Sequence, residues 1–342
     1  MYGQIAFLEG ETKQAPALRR IAGLIGQQIS DLTPWREHPE TGVNFTGMGA
    51  SYAALAVPVR LLIAHDIPAM RLLASDVPDF AGSLHAGLMV AVSQSGRSTE
   101  TIEAMSALTV PRVAVVNQSG GPLAGVCDAA ISLGDEPDSY ASTVGFTGTV
   151  IALSAIARAI LHQDPVGEWA DIEDLTRSWQ AGLTEPIRQL VAEAAGVVSA
   201  DLVAAGCSRA STEEGALLLR EVARIPSAAA VTRNYLHGSM ESAGDTLHVI
   251  CGDGRELELA NALAGAGHPT LLLTSIARAS RGRLTVLTLP ETTAPVRVVL
   301  ETLVMQRLAA AFAQQRGIDI EEFVFANPDT KTSDALASER LA

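Results

Sequence analysis

Three stretches of this chain combine residue types and spacings that can do chemistry. The first is Val90-Ala91-Val92-Ser93-Gln94-Ser95-Gly96-Arg97-Ser98-Thr99-Glu100-Thr101-Ile102. The apolar run ending at Val92 is short and β-branched, and reads as a parallel strand covered on both faces. It breaks into hydroxyls, one amide and one glycine before a helix begins. Ser98 is placed as the N-cap, with Glu100 and Glu103 in the first turn, where carboxylates suit the positive end of the helix dipole. A loop entering a helix in this way turns backbone N–H groups toward one spot, and Ser93, Ser95 and Ser98 add hydroxyl donors around it. Phosphate is the guest this donor set suits. Taken alone, serine-rich turns also occur as plain structure.

The second stretch is Glu213-Glu214-Gly215-Ala216-Leu217-Leu218-Leu219-Arg220-Glu221. Glu214 and Glu221 are seven positions apart, which puts them within about 20° of one helix face. The same spacing describes many solvated helix faces. The third is His237, in Tyr235-Leu236-His237-Gly238, sixteen residues beyond Glu221. Imidazole titrates near neutrality, so it can give a proton to one oxygen and take one from another; beside a glycine it is also an ordinary loop residue. Only two lysines, Lys13 and Lys331, stand against 22 arginines. Few positions can therefore form a Schiff base.

Composition narrows the partners. A net charge of −14 opposes a polyanion, and 4% aromatic residues leave little for stacking bases, so no nucleic-acid partner is expected. Cys127, Cys207 and Cys251 are far apart and form neither a disulfide framework nor a Cys-x-x-Cys pattern. They are expected as buried free thiols in a reducing cytoplasm. No apolar run reaches the roughly 18 residues of a membrane span and no signal-like leader is visible, so the expectation is a cytoplasmic chain without a membrane partner. His38, His65, His85, His162, His248 and His268 have no ligand spacing, and no metal is expected.

These residues need elements to hold them. The 342 residues imply two domains of about 150 residues each. A leading helix covers residues up to about 30. Val43-Asn44-Phe45-Thr46-Gly47-Met48-Gly49-Ala50-Ser51-Tyr52 reads as a strand and glycine turn, with an apolar helix continuing from Ala53. Strands follow at 112–117 and 129–133, and an apolar helix at 150–160. A more polar helical connector spans 163–190. Residues 201–208 repeat the strand, small-residue turn and helix of the first glycine strand; further strands lie at 247–250, 270–273 and 284–287, before a closing apolar helix at 296–312. This alternation predicts parallel, doubly wound α/β sheets in two repeated halves. The lone Gly47-x-Gly49 admits a nucleotide-binding reading, but a third glycine and a ribose-binding acid are absent.

The Ser-Gln-Ser-Gly run, with a hydroxyl two residues later and then Glu-Thr, resembles the phosphosugar-binding loop of the sugar isomerase (SIS) domain family. The Glu-Gly-Ala-Leu helix followed by His-Gly is similar to the isomerase module of glucosamine-6-phosphate synthases, as is the opening Met1-Tyr2-Gly3-Gln4-Ile5-Ala6-Phe7-Leu8-Glu9-Gly10. The resemblance implies two tandem SIS domains, divided as 1–190 with the helical connector and 191–342 with the C-terminal tail. No cysteine stands at position 2, so a chain without a glutaminase domain is expected.

By the same resemblance, Ser51, Ser93, Gln94, Ser95 and Ser98 hold a phosphate, and Gly49 and Ser142 line the sugar. Glu221 shuttles a proton between C1 and C2, and Glu214 is a second carboxylate of the site. His237 opens the ring from a neighbouring subunit, which implies a homodimer with a shared site. No cofactor is implied, because the carbonyl or imine next to the labile proton supplies its acidity. Three family positions differ: a threonine before Ser51 is Ala50, a lysine two residues after Ser142 is Val144, and a lysine four residues after Glu214 is Leu218. The family's tail lysine has no counterpart in register; Lys331 is the local candidate, with an exposed terminal lysine as its other reading. These losses turn the expectation from a synthase toward a deaminase or deglycase acting on a phosphorylated sugar or amino sugar. The rival expectation is a phosphosugar sensor without catalysis.

Overall fold

A computed structural model of the chain describes residues 5–30, 41–84, 86–325 and 327–332. The chain forms two compact units, one of Met1–Ala6, Lys13–Glu173 and Val324–Ala342, the other of Phe7–Thr12 and Asp174–Phe323. His38 and His85 lie outside the described residues.

In the first unit, β1 (Val43–Gly47), β2 (Ala69–Leu73), β3 (Leu88–Val92), β4 (Arg112–Val116) and β5 (Ala129–Ser132) are accompanied by helices α1 (Phe7–Ser30, of which the part from Lys13 belongs to this unit), α2 (Gly49–Ala54), α3 (Ala56–Ile63), α4 (Val77–Phe80), α5 (Thr99–Ser106), α6 (Pro122–Val126) and α7 (Val144–Ile160). The strand order is β2-β1-β3-β4-β5, every pair parallel. Every residue of β1 and β3 is buried; β3 is the unbroken apolar run expected of a strand covered by helices on both faces, while β1 also buries Asn44 and Thr46. Met89 and Ala91 of β3 pack with Ile102 and Met105 of α5, which fixes the helix behind the serine-rich loop. The expected single helix from Ala53 is divided at Leu55 into α2 and α3. Pro58 supplies the reason: it lacks an N–H, so it is tolerated in the first turn of a new helix and not deep inside a longer one.

The second unit repeats this plan with β6 (Ser199–Ala204), β7 (Ser227–Val231), β8 (Thr246–Cys251), β9 (Thr270–Thr274) and β10 (Leu284–Thr288), and helices α8 (Ile172–Glu193), α9 (Arg209–Glu221), α10 (Thr232–Tyr235), α11 (Arg255–Gly265) and α12 (Ala294–Arg316). Its order, β10-β9-β8-β6-β7, is the first order read from the other edge, again all parallel. The fold is therefore two tandem α/β domains, each a doubly wound parallel sheet flanked by helices. The second strand of each half, β2 and β7, is not marked by the sequence pattern. Each lies on a sheet edge with part of its length open to solvent, and neither has a bulky apolar run: Arg71 interrupts β2 and alanines fill β7.

Among the described residues no helix is long and apolar enough to cross a membrane. All three cysteines are free, but only Cys251 is buried; Cys127 and Cys207 are half-buried, because each sits beside a turn and not within a strand.

Gly215 shows how tightly α9 is seated. A Cβ there would lie 2.7 Å from Leu202 Cδ2 on β6 and 2.8 Å from Met305 Cγ on α12. The glycine of the Glu-Gly-Ala-Leu motif thus has a packing reason. Gly215→Ala is expected to lower stability by about 1–3 kcal/mol in urea unfolding through overpacking; an unchanged midpoint would contradict this close approach.

Candidate functional site

In the first unit the strand order reverses between β1 and β3, and in sheets of this kind ligands bind outside the carboxyl ends of the strands at such a point. The pairing Val43↔Leu88 through Thr46↔Ala91 brings both strands to this edge together. The glycine loop after β1 and the serine loop after β3 are consequently neighbours. A Cβ on Gly47 would lie 3.2 Å from Val92 O and 3.1 Å from Ser51 Cβ, so the bare glycine lets Ser51, half-buried on α2, close on the end of β3. Gly49 and Gly96 both have φ in the left-handed region, +51° and +64°, which glycine adopts without strain.

The serine loop is built from its own backbone and side chains. Ser93 N donates to Val115 O at 3.1 Å, Gly96 N to Ser93 O at 2.9 Å, and Ser98 N to Ser93 Oγ at 3.4 Å. Gln94 O accepts from Asn117 N and Gln118 N at 2.9 and 3.1 Å, tying the loop to the end of β4. Ser93, Ser95 and Ser98 are buried. Ser98 occupies the N-cap position, but its hydroxyl does not cap the helix. It donates instead to Glu100 Oε2 at 3.1 Å and accepts from Thr101 Oγ1 at 3.0 Å, because the carboxylate is the stronger acceptor within reach.

Lys331 joins this loop. Thr332 N donates to Arg97 O at 2.9 Å, Thr99 Oγ1 donates to Asp329 O at 3.0 Å, and Ser98 and Lys331 form an antiparallel bridge. The Lys331 amine donates to Ser95 Oγ at 3.4 Å. Lys331 is half-buried, so its reading as an exposed terminal lysine is corrected. Burial lowers its pKa from the ordinary lysine value, against the opposing pull of Glu100.

Ser142 is held by a residue the sequence reading passed over. Asp138, 2% exposed, accepts from Ser142 Oγ at 2.8 Å, Thr143 N at 2.9 Å and Thr143 Oγ1 at 2.8 Å. Phe146 N donates to Ser142 Oγ at 2.9 Å, so this hydroxyl also caps the start of α7. Gly145 abuts Asp138, Ser142 Oγ and Gln94 Cγ, which brings the Asp138 group against the serine loop. The first unit thus gathers Ser51, Ser93, Gln94, Ser95, Ser98, Ser142 and Lys331 along one edge of its sheet.

Glu214, Glu221 and His237 lie in the second unit. Both glutamates are on α9, Glu214 buried at 1% exposure and Glu221 half-buried at the last turn. Desolvation alone raises the Glu221 carboxyl to about 7, since no hydrogen bond or ion pair offsets it among the described residues. Leu218, where a family lysine would stand, is fully buried.

His237 is exposed, directly after α10. That short helix is gripped from two sides. Thr232 Oγ1 donates to Glu256 Oε1 at 2.5 Å. Tyr235, buried in the core with Val203, Ile250 and Leu259, donates its hydroxyl to Asp201 Oδ2 at 2.7 Å, and His248 Nδ1 lies 3.2 Å from the tyrosine oxygen. With the tyrosine O–H directed at Asp201, a protonated His248 Nδ1 is the donor to the tyrosine oxygen. Among the described residues His248 Nε2 is buried with no partner. Sequence spacing could not find this group, because Asp201, Tyr235 and His248 come from three separate elements.

At the matching edge of the second sheet, the loop after β8 carries no hydroxyls. Asp253 accepts from Thr274 Oγ1 at 2.6 Å and from Ser275 N and Oγ at 2.8 Å each, and pairs with Arg297. Burial alone would push its pKa up, but these hydrogen bonds outweigh it and hold the carboxyl at about 2. Among the described residues no group of three or more histidine, cysteine or acidic side chains could hold a metal ion.

No family model matches the chain. A glutamine–fructose-6-phosphate aminotransferase [isomerizing] of Pyrobaculum aerophilum is 26% identical over 312 residues, covering 81% of this chain and 49% of that protein. The chain thus spans about half the length of the curated relative it matches. The C-terminal domain of glucosamine-fructose-6-phosphate aminotransferase from Francisella tularensis superposes with a TM-score of 0.81 at 19% identity, covering 92% of this chain and 97% of that one. Glucosamine-6-phosphate deaminase from Thermotoga maritima superposes with a TM-score of 0.70 at 18% identity, covering 91% and 98%. The resemblance read from the motifs therefore extends over nearly the whole chain, and the fold is that of the sugar isomerase domains.

His248 gives the second unit a defined acid response. Desolvation, then the neighbouring His268, lowers its pKa from 6.5 to about 4. The folded state favours the neutral ring, so the stability this contributes is complete above pH 6.5 and lost as pH falls toward 4. The loss amounts to about 3 kcal/mol. Urea unfolding between pH 7 and 4 is expected to show this loss in the parent and much less of it in His248→Leu; parallel pH profiles would contradict the assignment.

Proposed function

Taking two tandem sugar isomerase folds as the premise, we propose that this chain is an enzyme acting on a hexose or amino-sugar 6-phosphate, moving a proton between C1 and C2 of the open-chain sugar. The observation that carries this reading is Glu221. A carboxyl raised to about 7 is divided between acid and base forms at neutral pH, as a residue that takes a proton from one carbon and returns it to the next must be. In this reading the hydroxyls of Ser51, Ser93, Ser95 and Ser98, with Gln94, hold the phosphate, while Ser142 and Gly49 border the sugar. Ser142 gives its proton to Asp138 and one lone pair to Phe146 N. A free lone pair remains to accept from a sugar hydroxyl.

His237 opens the ring or protonates a leaving nitrogen, and Glu214 supports the same site. Because His237 is exposed on its own chain, it serves the site of a second copy in this reading, which makes the enzyme a homodimer. Reactions on substrates that already carry nitrogen, as the name of the Thermotoga maritima deaminase describes for that protein, are preferred over synthesis. Buried Leu218 and Val144 leave no lysine at two places where the synthase family has one.

Glu221→Gln is expected to reduce solvent proton exchange at C1 or C2 at least about 1,000-fold while leaving phosphosugar binding intact. The substitution removes the cost of ionising a buried carboxyl, so the variant stays folded above pH 7. In the parent, exchange rises with pH through about 7, not near the ordinary carboxyl value, as the base form accumulates. Undiminished exchange in the variant would show that another group is the base.

A further inference from the structure

The serine loop offers hydroxyls and backbone N–H groups to an anion, and the tail brings the Lys331 amine to it. Three hydrogen bonds and the antiparallel Ser98–Lys331 bridge hold residues 329–332 against Arg97, Ser98 and Thr99, with Lys331 directed at buried Ser95. Thr99 Oγ1 is the pin: it donates to Asp329 O at 3.0 Å and lies 3.2 Å from Thr332 Oγ1. The amine ends 3.4 Å from Ser95 Oγ, inside the anion-binding loop.

Resting on the site proposed above, we propose that Lys331 is the charge partner of the substrate's phosphate and forms no imine with its carbonyl. In a hexose 6-phosphate the phosphoryl group hangs on C6, four carbon–carbon bonds from C2. An amine beside the phosphate loop therefore meets the phosphoryl oxygens and does not reach the carbon from which a Schiff base would form. The electrostatics agree. A chain of net charge −14 repels a dianion, and Glu100, close to both Ser98 and Lys331, adds to the repulsion. A charge-assisted bond from an ammonium offsets both. A phosphate dianion beside the amine supplies a counter-charge and opposes the burial that lowers the Lys331 pKa.

The test uses the full chain and three variants, Lys331→Arg, Lys331→Gln and Thr99→Val. Binding of inorganic phosphate and of fructose 6-phosphate is measured by isothermal titration, and borohydride is added to the fructose 6-phosphate complex before intact-mass analysis. Lys331→Gln is expected to weaken both ligands about 10- to 100-fold, Lys331→Arg only a few fold, and Thr99→Val by an intermediate factor through release of the tail. No sugar mass is expected on the borohydride-treated parent. Parent-like phosphate binding by Lys331→Gln, or a reduced sugar adduct on Lys331, would overturn the assignment while leaving the phosphate loop standing. If the parent itself binds neither ligand, the loop is not a phosphate site and both proposals fall together.

Discussion

The parallel pairing of β1 with β3 is the interaction on which the rest of the first unit depends. Strands that run in one direction deliver their carboxyl ends, and the amino ends of the helices that follow, to a single edge of the sheet. Connections on either side of this pair run in opposite directions along the sheet, and in folds of this kind the ligand crevice lies at such a point. The register from Val43↔Leu88 to Thr46↔Ala91 then places Gly47 beside Val92, and the two loops that follow share the crevice. A slip of this pairing would separate Ser51 from the serine loop even with every residue present.

The second unit uses the same strand order for a different end. Its corresponding edge is occupied by an internal ion network in which Asp253 faces Arg297, while Ser208 and Ser211 donate to Glu301 at 3.0 and 2.6 Å. Carboxylates already stand where the first unit offers hydroxyl donors. The residues proposed for chemistry in this half lie instead on α9 and after α10. Among the described residues Glu221 is desolvated without a compensating partner, which costs stability and yields a titratable group near neutrality. The buried Tyr235 and Thr232 anchor α10, so that His237 is exposed yet issues from a fixed base.

Much of this was legible in the sequence. β3 announced itself because burial on both faces writes an unbroken apolar run, and the repeat followed from two strand-glycine-helix units. The edge strands β2 and β7 were silent because Arg71 interrupts the one and small alanines fill the other. The serine loop's place between a strand and a helix was readable, and so was its set of donors, but the fate of each donor was not. Ser98 turned toward Glu100 and left the helix end uncapped. Asp138, which organises Ser142, was one of three carboxylates in the stretch Asp135-Glu136-Pro137-Asp138, and what sets it apart is a burial that only the tertiary structure creates. Lys331 was visible as a scarce residue type. Its approach to Ser95 was hidden, since the two residues are 236 positions apart and meet only through the folded tail.

The measurement that tests the central claim most directly is proton NMR in deuterated water, with the full chain incubated in parallel with fructose 6-phosphate, glucosamine 6-phosphate, a fructosamine 6-phosphate, and the unphosphorylated counterpart of each. The account predicts that solvent deuterium enters C1 or C2 of at least one phosphorylated sugar and of none of the unphosphorylated ones. Absence of exchange in all three phosphorylated sugars, with saturable binding of one of them, would contradict it and identify a phosphosugar-binding protein without proton-transfer chemistry.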